Sequence, residues 1–87
     1  MKTSELLEMV NELDRKAGYV NFDRLAQARD LSVRLQSETA HVALPKIVRA
    51  RLDVVSSVTP NLADMERMFL FQESAQRLRA VTIRTYS

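Results

Sequence analysis

The sequence predicts an all-α fold, a compact bundle of three or four helices. Three observations carry that prediction. There is one glycine and there are two prolines among 87 residues, whereas sheets need many tight turns and tight turns draw on glycine. Hydrophobic residues make up 46% of the chain and charged residues 28%, the balance of a chain that buries a core. The apolar residues recur three and four positions apart, which places them along one side of a helix.

The first helix is expected over about residues 4–17. Thr3 or Ser4 offers a cap, and Glu5 and Glu8 sit favourably against the helix dipole. Leu6, Val10, Leu13 and Ala17 form one stripe, and Glu12 lies one turn before Lys16 on the opposite side. Gly18 stands where a left-handed residue would end this helix. Asn21 caps a second helix reaching about Ser37, with Val20 placed to staple onto Leu25. Its stripe is Leu25, Ala28, Ser32 and Leu35, with Leu31 beside it and Asp30 one turn before Arg34.

Pro45 disfavours helix at Leu44 and suits the first position of a third helix. Val48, Leu52 and Val55 make its stripe, although residues 53–58 (DVVSSV) are β-branched enough to be read as extended. Thr59-Pro60 reads as a cap followed by proline at the start of a fourth helix, over about residues 60–80. Met65, Met68, Phe71, Ala75 and Leu78 supply its stripe, and Phe69 and Leu70 widen it until residues 68–71 are apolar nearly all round. Residues 80–86 alternate and are β-branched, a pattern open to fraying or to strand pairing.

The chain reads as a single domain, residues 1–87, without repeats or linkers. At this size a fold buries about 60% of the surface its unfolded chain exposes, so dimerisation is an effective way to complete its apolar cover. Cysteine is absent, which excludes disulfides, thiolate metal sites and a cysteine nucleophile. Glu5, Glu8, Glu12 and Asp14 interrupt the segment where a signal peptide needs an apolar stretch. No run approaches the roughly 20 apolar residues that cross a bilayer, so no membrane partner is expected and the cytoplasm is the expected location.

His41 is the sole histidine, and no glycine-rich loop exists to cradle a phosphate. The carboxylates mostly accompany arginines or lysines at helical spacing, as on solvated faces. No catalytic residue, cofactor or metal ligand is therefore expected. Residues 25–39, LAQARDLSVRLQSET, resemble a helix-turn-helix core. The place where such motifs prefer a turn glycine holds Arg29 or Asp30, however, and one continuous helix accounts for the same residues. Arg77, Arg79 and Arg84 follow Glu73 with no later acid, within a chain of formal net charge +2.

Phe69 and Phe71 point about 200° apart on a helix. A chain this small buries only one of them well, so the other calls for a second surface. The expectation is a non-catalytic protein-binding module: a regulator, inhibitor, chaperone or assembly subunit. It would engage a protein partner, a second copy included, through Met65, Met68 and Phe69 with Arg77, Arg79 and Arg84 nearby. The alternative is a small DNA-binding transcriptional regulator that uses the C-terminal arginines against phosphates.

Overall fold

Each apolar stripe becomes the buried face of a helix in the computed structural model, which describes residues 1–87. The exception is Met65 at the head of the fourth stripe, exposed because it lies on the first turn of its helix, before the core is reached. Helix α1 spans Thr3–Ala17 and buries Leu6, Val10, Leu13 and Ala17. Helix α2, Phe22–Glu38, buries Leu25, Ala28, Ser32 and Leu35. Helix α3, Lys46–Ser57, buries Val48, Leu52 and Val55. Helix α4, Met65–Tyr86, buries Met68, Phe71, Ala75, Leu78 and Val81, with Ser74 and Thr82 among them. Each helix packs on its two neighbours in a ring, α1 on α2 and α4, α3 on α2 and α4. Consecutive helices run antiparallel, as short connections require. The 22 residues of α4 make a rod of about 33 Å, which sets the 36 Å long axis of the bundle. No helix is long and apolar enough to cross a membrane.

The core admits four hydroxyl residues without leaving a polar atom stranded. Ser32, Thr39, Ser74 and Thr82 each donate to a carbonyl three or four residues back in the chain, at 2.6–2.7 Å. Such back-bonding satisfies the hydroxyl inside the helix, so a serine or threonine occupies a core position at little cost.

The ends of the helices depart from the sequence expectation in several places. Asn21 caps α2 as expected, its side-chain oxygen accepting from the Arg24 backbone N–H at 3.0 Å. Val20 remains 68% exposed and does not staple onto Leu25. Helix α1 begins at Thr3 itself, after Lys2 and without a side-chain cap. Gly18 ends it in a right-handed conformation, φ −73°, rather than the left-handed one. Pro45 is the residue just before α3, and α3 continues as helix to Ser57 because Val55 is needed in the core.

The largest correction concerns the start of α4. Thr59 and Pro60 do not begin a helix; α4 starts at Met65, five residues later than the Thr59-Pro60 signal implies. Asn61 accepts from the Ala63 backbone N–H, and the Asp64 N–H donates to the Asn61 carbonyl, closing a turn. Asp64 then caps the helix by accepting from the Arg67 N–H. Two local side-chain bonds outweigh one proline preference. At the other end α4 runs unbroken to Tyr86, so residues 80–86 neither fray nor form a strand. Val81 and Thr82 face the core, and burial overrides β propensity.

Two arginines tie α2 to α3 in reciprocal fashion. Arg49 of α3 donates to the Thr39 and Val42 carbonyls past the end of α2 and to the Gln36 and Thr39 side-chain oxygens. Arg29 of α2 donates to the Ser56 carbonyl at the end of α3, with the Val58 carbonyl 3.5 Å away. Each guanidinium binds carbonyls at or just beyond a helix C-terminus and places positive charge at that negative helix end. Gln36, bound to Arg49, also donates to Asp53 and Ser56 across the same pair.

Candidate functional site

The helices differ in length, and that difference opens one end of the bundle. Helix α3 has 12 residues against 17 in α2. Because Arg29 already meets the end of α3, the first two turns of α2 run past it. The 59–63 segment crosses that space without filling it. A groove of about 420 Å³ results, lined by Phe22, Leu25, Ala26 and Arg29 on one side and Thr59–Ala63 on the other. Its size lies in the range of ligand pockets, roughly 300–1,000 Å³, and its lining is mainly apolar with one cation, Arg29.

Exposed apolar side chains gather around this end. Phe22 is 72% exposed, and Tyr19, Val20 and Leu62 in the flanking turns are also open to solvent. Met65 and Phe69 follow on the first turns of α4, Phe69 being 56% exposed. Phe69 borders a second, more polar cleft against Asp14 and Gly18 of the α1 end. Arg24 lies over the Tyr19 ring, 4.3 Å from its centroid, which holds the 18–21 turn against α2.

Helix α4 distributes the candidate residues over different surroundings. Phe71 is fully buried while Phe69 is exposed, the opposition that their 200° separation implies. Met65 and Phe69 share a solvent-facing stripe. Met68, grouped with them from the sequence, is fully buried in the core and is not available to a partner. The arginines are also divided. Arg77 pairs with Glu73 at 2.6 Å, and Arg79 reaches across to α1, meeting Asn11 at 2.8 Å and Asp14 at 3.7 Å. Arg77 and Arg84 face α3. The three arginines therefore do not form one basic face, and Arg77 and Arg79 are not unopposed.

The electrostatics of the α1 end are modest. Burial pushes the Asp14 carboxyl above its ordinary pKa, and Arg79 only partly offsets this. The Arg15 hydrogen bond holds Glu12 below the ordinary carboxylate range, with Lys16 assisting. Arg34 pairs with Glu38 at 3.2 Å rather than with Asp30. His41 is exposed in the turn after α2.

The sequence singled out Met65 and Phe69, both exposed at this end, but not the exposed Phe22 and Leu62. Phe22 did carry a signal, since a phenylalanine at the first position of α2 lies off the Leu25-Ala28-Ser32-Leu35 stripe. Leu62 carried none, because the groove depends on where α3 stops. No protein-family model matches the chain, and no curated protein or solved structure matches it significantly.

Proposed function

We propose that the chain is a non-catalytic protein-binding module whose docking surface is the open end of the bundle. One observation carries this reading: Tyr19, Val20, Phe22, Leu62, Met65 and Phe69 are all exposed around one end, beside an apolar groove. Soluble domains seldom leave apolar side chains clustered in this way unless something covers them. Aromatic and methionine side chains are also the types that interfaces concentrate. Regulator, inhibitor, chaperone and assembly subunit are the roles such a surface serves, and a second copy of the chain is the first occupant to test. The DNA-binding alternative draws less support, because Arg79 is engaged on α1 while Arg77 and Arg84 face α3.

The test compares the native chain with a Phe22→Ser/Phe69→Ser variant, both substitutions being at exposed positions. Sedimentation should show concentration-dependent dimerisation of the native chain, absent from the variant while its circular dichroism is unchanged. If the native chain stays monomeric, co-purification from its host after nuclease treatment should return a stoichiometric protein that the variant loses. Recovery of nucleic acid alone would count against the proposal.

A further inference from the structure

The ten arginines sort by what their guanidinium groups already hold. Arg15 pairs with Glu12, Arg34 with Glu38, Arg67 with Asp64, Arg77 with Glu73 and Arg79 with Asp14. Arg29 and Arg49 hold backbone carbonyls, and Arg24 lies over the Tyr19 ring. Arg51 and Arg84 alone have no hydrogen bond, ion pair or aromatic ring to hold. Both line the same groove, a cleft of about 180 Å³ between α3 and α4.

That coincidence gives the cleft a chemical character distinct from the open end. Ile47 and Arg51 form its α3 wall, and Arg77, Ala80, Val81 and Arg84 its α4 wall. No carboxylate lines it, and Arg77 is already paired with Glu73. Arg77 and Arg84 stand seven residues apart, two turns or about 10 Å along one stripe of α4. Arg51 is half-buried, so its charge is partly desolvated and gains more from a carboxylate than a fully solvated one would. Beside these cations the walls contribute the apolar side chains of Ile47, Ala80 and Val81.

We propose that this groove docks an acidic amphipathic helix of a partner protein. Its apolar side rests on Ile47, Ala80 and Val81, and its carboxylates take Arg51 and Arg84. Guanidinium groups pair with carboxylates in a bidentate, directional way, and laying an apolar helix face in a groove is a recurrent mode of peptide recognition. Charge complementarity identifies the occupant: a groove with cations on both walls and no acid selects an acidic segment and rejects a basic one. A polyanion is a poorer match. Nucleic acids bind by neutralising many phosphates, whereas this cleft offers two free cations beside apolar side chains. The proposal is independent of what occupies the open end.

Fluorescence anisotropy with labelled peptides of roughly 18 residues, five helical turns, tests it. The acidic probe carries leucines on one face flanked by glutamates, and its counterpart has lysine at every glutamate. The acidic probe should bind saturably and the lysine probe should not. Arg51→Gln/Arg84→Gln should weaken binding about tenfold or more, as expected when charged hydrogen bonds are lost. Arg79→Gln, on the α1 side, should leave it unchanged. Ala80→Glu, at an exposed position, sets a carboxylate in the groove and should abolish binding while the thermal midpoint holds. Failure of the acidic probe to bind, equal binding of both probes, or indifference to the double arginine change would overturn the proposal. Tighter binding of a short DNA duplex, lost in that same double variant, would overturn it in favour of nucleic acid.

Discussion

The two ends of the bundle solve the same problem in opposite ways. At the end that holds the α2–α3 connection, Arg49 gathers the Thr39 and Val42 carbonyls and the Gln36 side chain, while buried Thr39 and half-buried Leu44 and Tyr86 close over the core. The cleft left there is about 60 Å³. At the opposite end Arg29 makes one close carbonyl contact, the 59–63 segment spans a groove of about 420 Å³, and Phe22 stands in solvent. Polar atoms must be satisfied wherever water is excluded, so the closed end carries a dense network. The open end has less such need, because its groove is open to solvent, and it carries exposed hydrocarbon instead. One end of this small fold thus concentrates its polar bonding and the other its exposed apolar surface.

The largest expected effect sets the two phenylalanines of α4 against each other. Phe71→Ala should cost about 3–5 kcal/mol by removing a fully buried ring. Phe69→Ala should stay within about 0.5 kcal/mol, as exposed positions do, while weakening association. Urea denaturation measures both. A loss of several kcal/mol at Phe69 would dissolve the distinction between a stabilising core and a recognition surface.

Next in size is the pair of reciprocal arginine caps. Arg49→Leu leaves the Thr39 carbonyl with the Val42 N–H alone and removes a donor from the Gln36 and Thr39 side-chain oxygens. It should cost about 1.5–3 kcal/mol through the loss of several charge-assisted bonds. Arg29→Leu removes fewer bonds and exposes the freed carbonyls to the groove, so about 1 kcal/mol is expected. Equal losses in chemical denaturation would show that the ends are held alike.

Much of this architecture was legible in the sequence, and what escaped has identifiable causes. The stripes Leu6-Val10-Leu13-Ala17, Leu25-Ala28-Ser32-Leu35 and Val48-Leu52-Val55 were read correctly because periodicity reports burial directly. Thr59-Pro60 misled because proline marks a break without saying on which side of it the helix lies. The side chains of Asn61 and Asp64 decided the matter. The caps by Arg29 and Arg49 were invisible, since they join helices across 27 and 10 residues of sequence. Among the residues of the proposed surfaces, the exposure of Phe69 was readable from its angle to Phe71. Arg51 was not, because an arginine lacking a partner is recognised only after every other arginine has been matched to one.

Two smaller substitutions sharpen the account of the open end. At Gly18 the backbone is right-handed, and an added methyl group would meet only the Arg15 and Asp14 carbonyls at 3.5 and 3.7 Å. Gly18→Ala should therefore stabilise by about 0.4–1 kcal/mol by restricting the unfolded chain, whereas a left-handed Gly18 would make the same change destabilising. Asp14 has a pKa raised by folding, so its charged form is disfavoured in the native state and stability falls as pH rises through its folded pKa. Asp14→Asn should raise the thermal midpoint slightly at neutral pH, and that advantage should vanish in acid, where Asp14 is protonated in both states. A midpoint that drops at neutral pH would mean that the contact with Arg79 outweighs burial.

The shortness of α3 gives the open end an unusual kind of adjustability. Its groove is made by turns that are missing rather than by residues selected to line it, so its depth is a matter of chain length. Insertion of a single helical turn after Val55 would advance that wall by about 5.4 Å while leaving Val48, Leu52 and Val55 in their buried places. Such a surface can be resized in discrete steps by insertion and deletion at a loop boundary, with no substitution in the interior. Two chains sharing the same buried residues could thus present cavities of quite different volume.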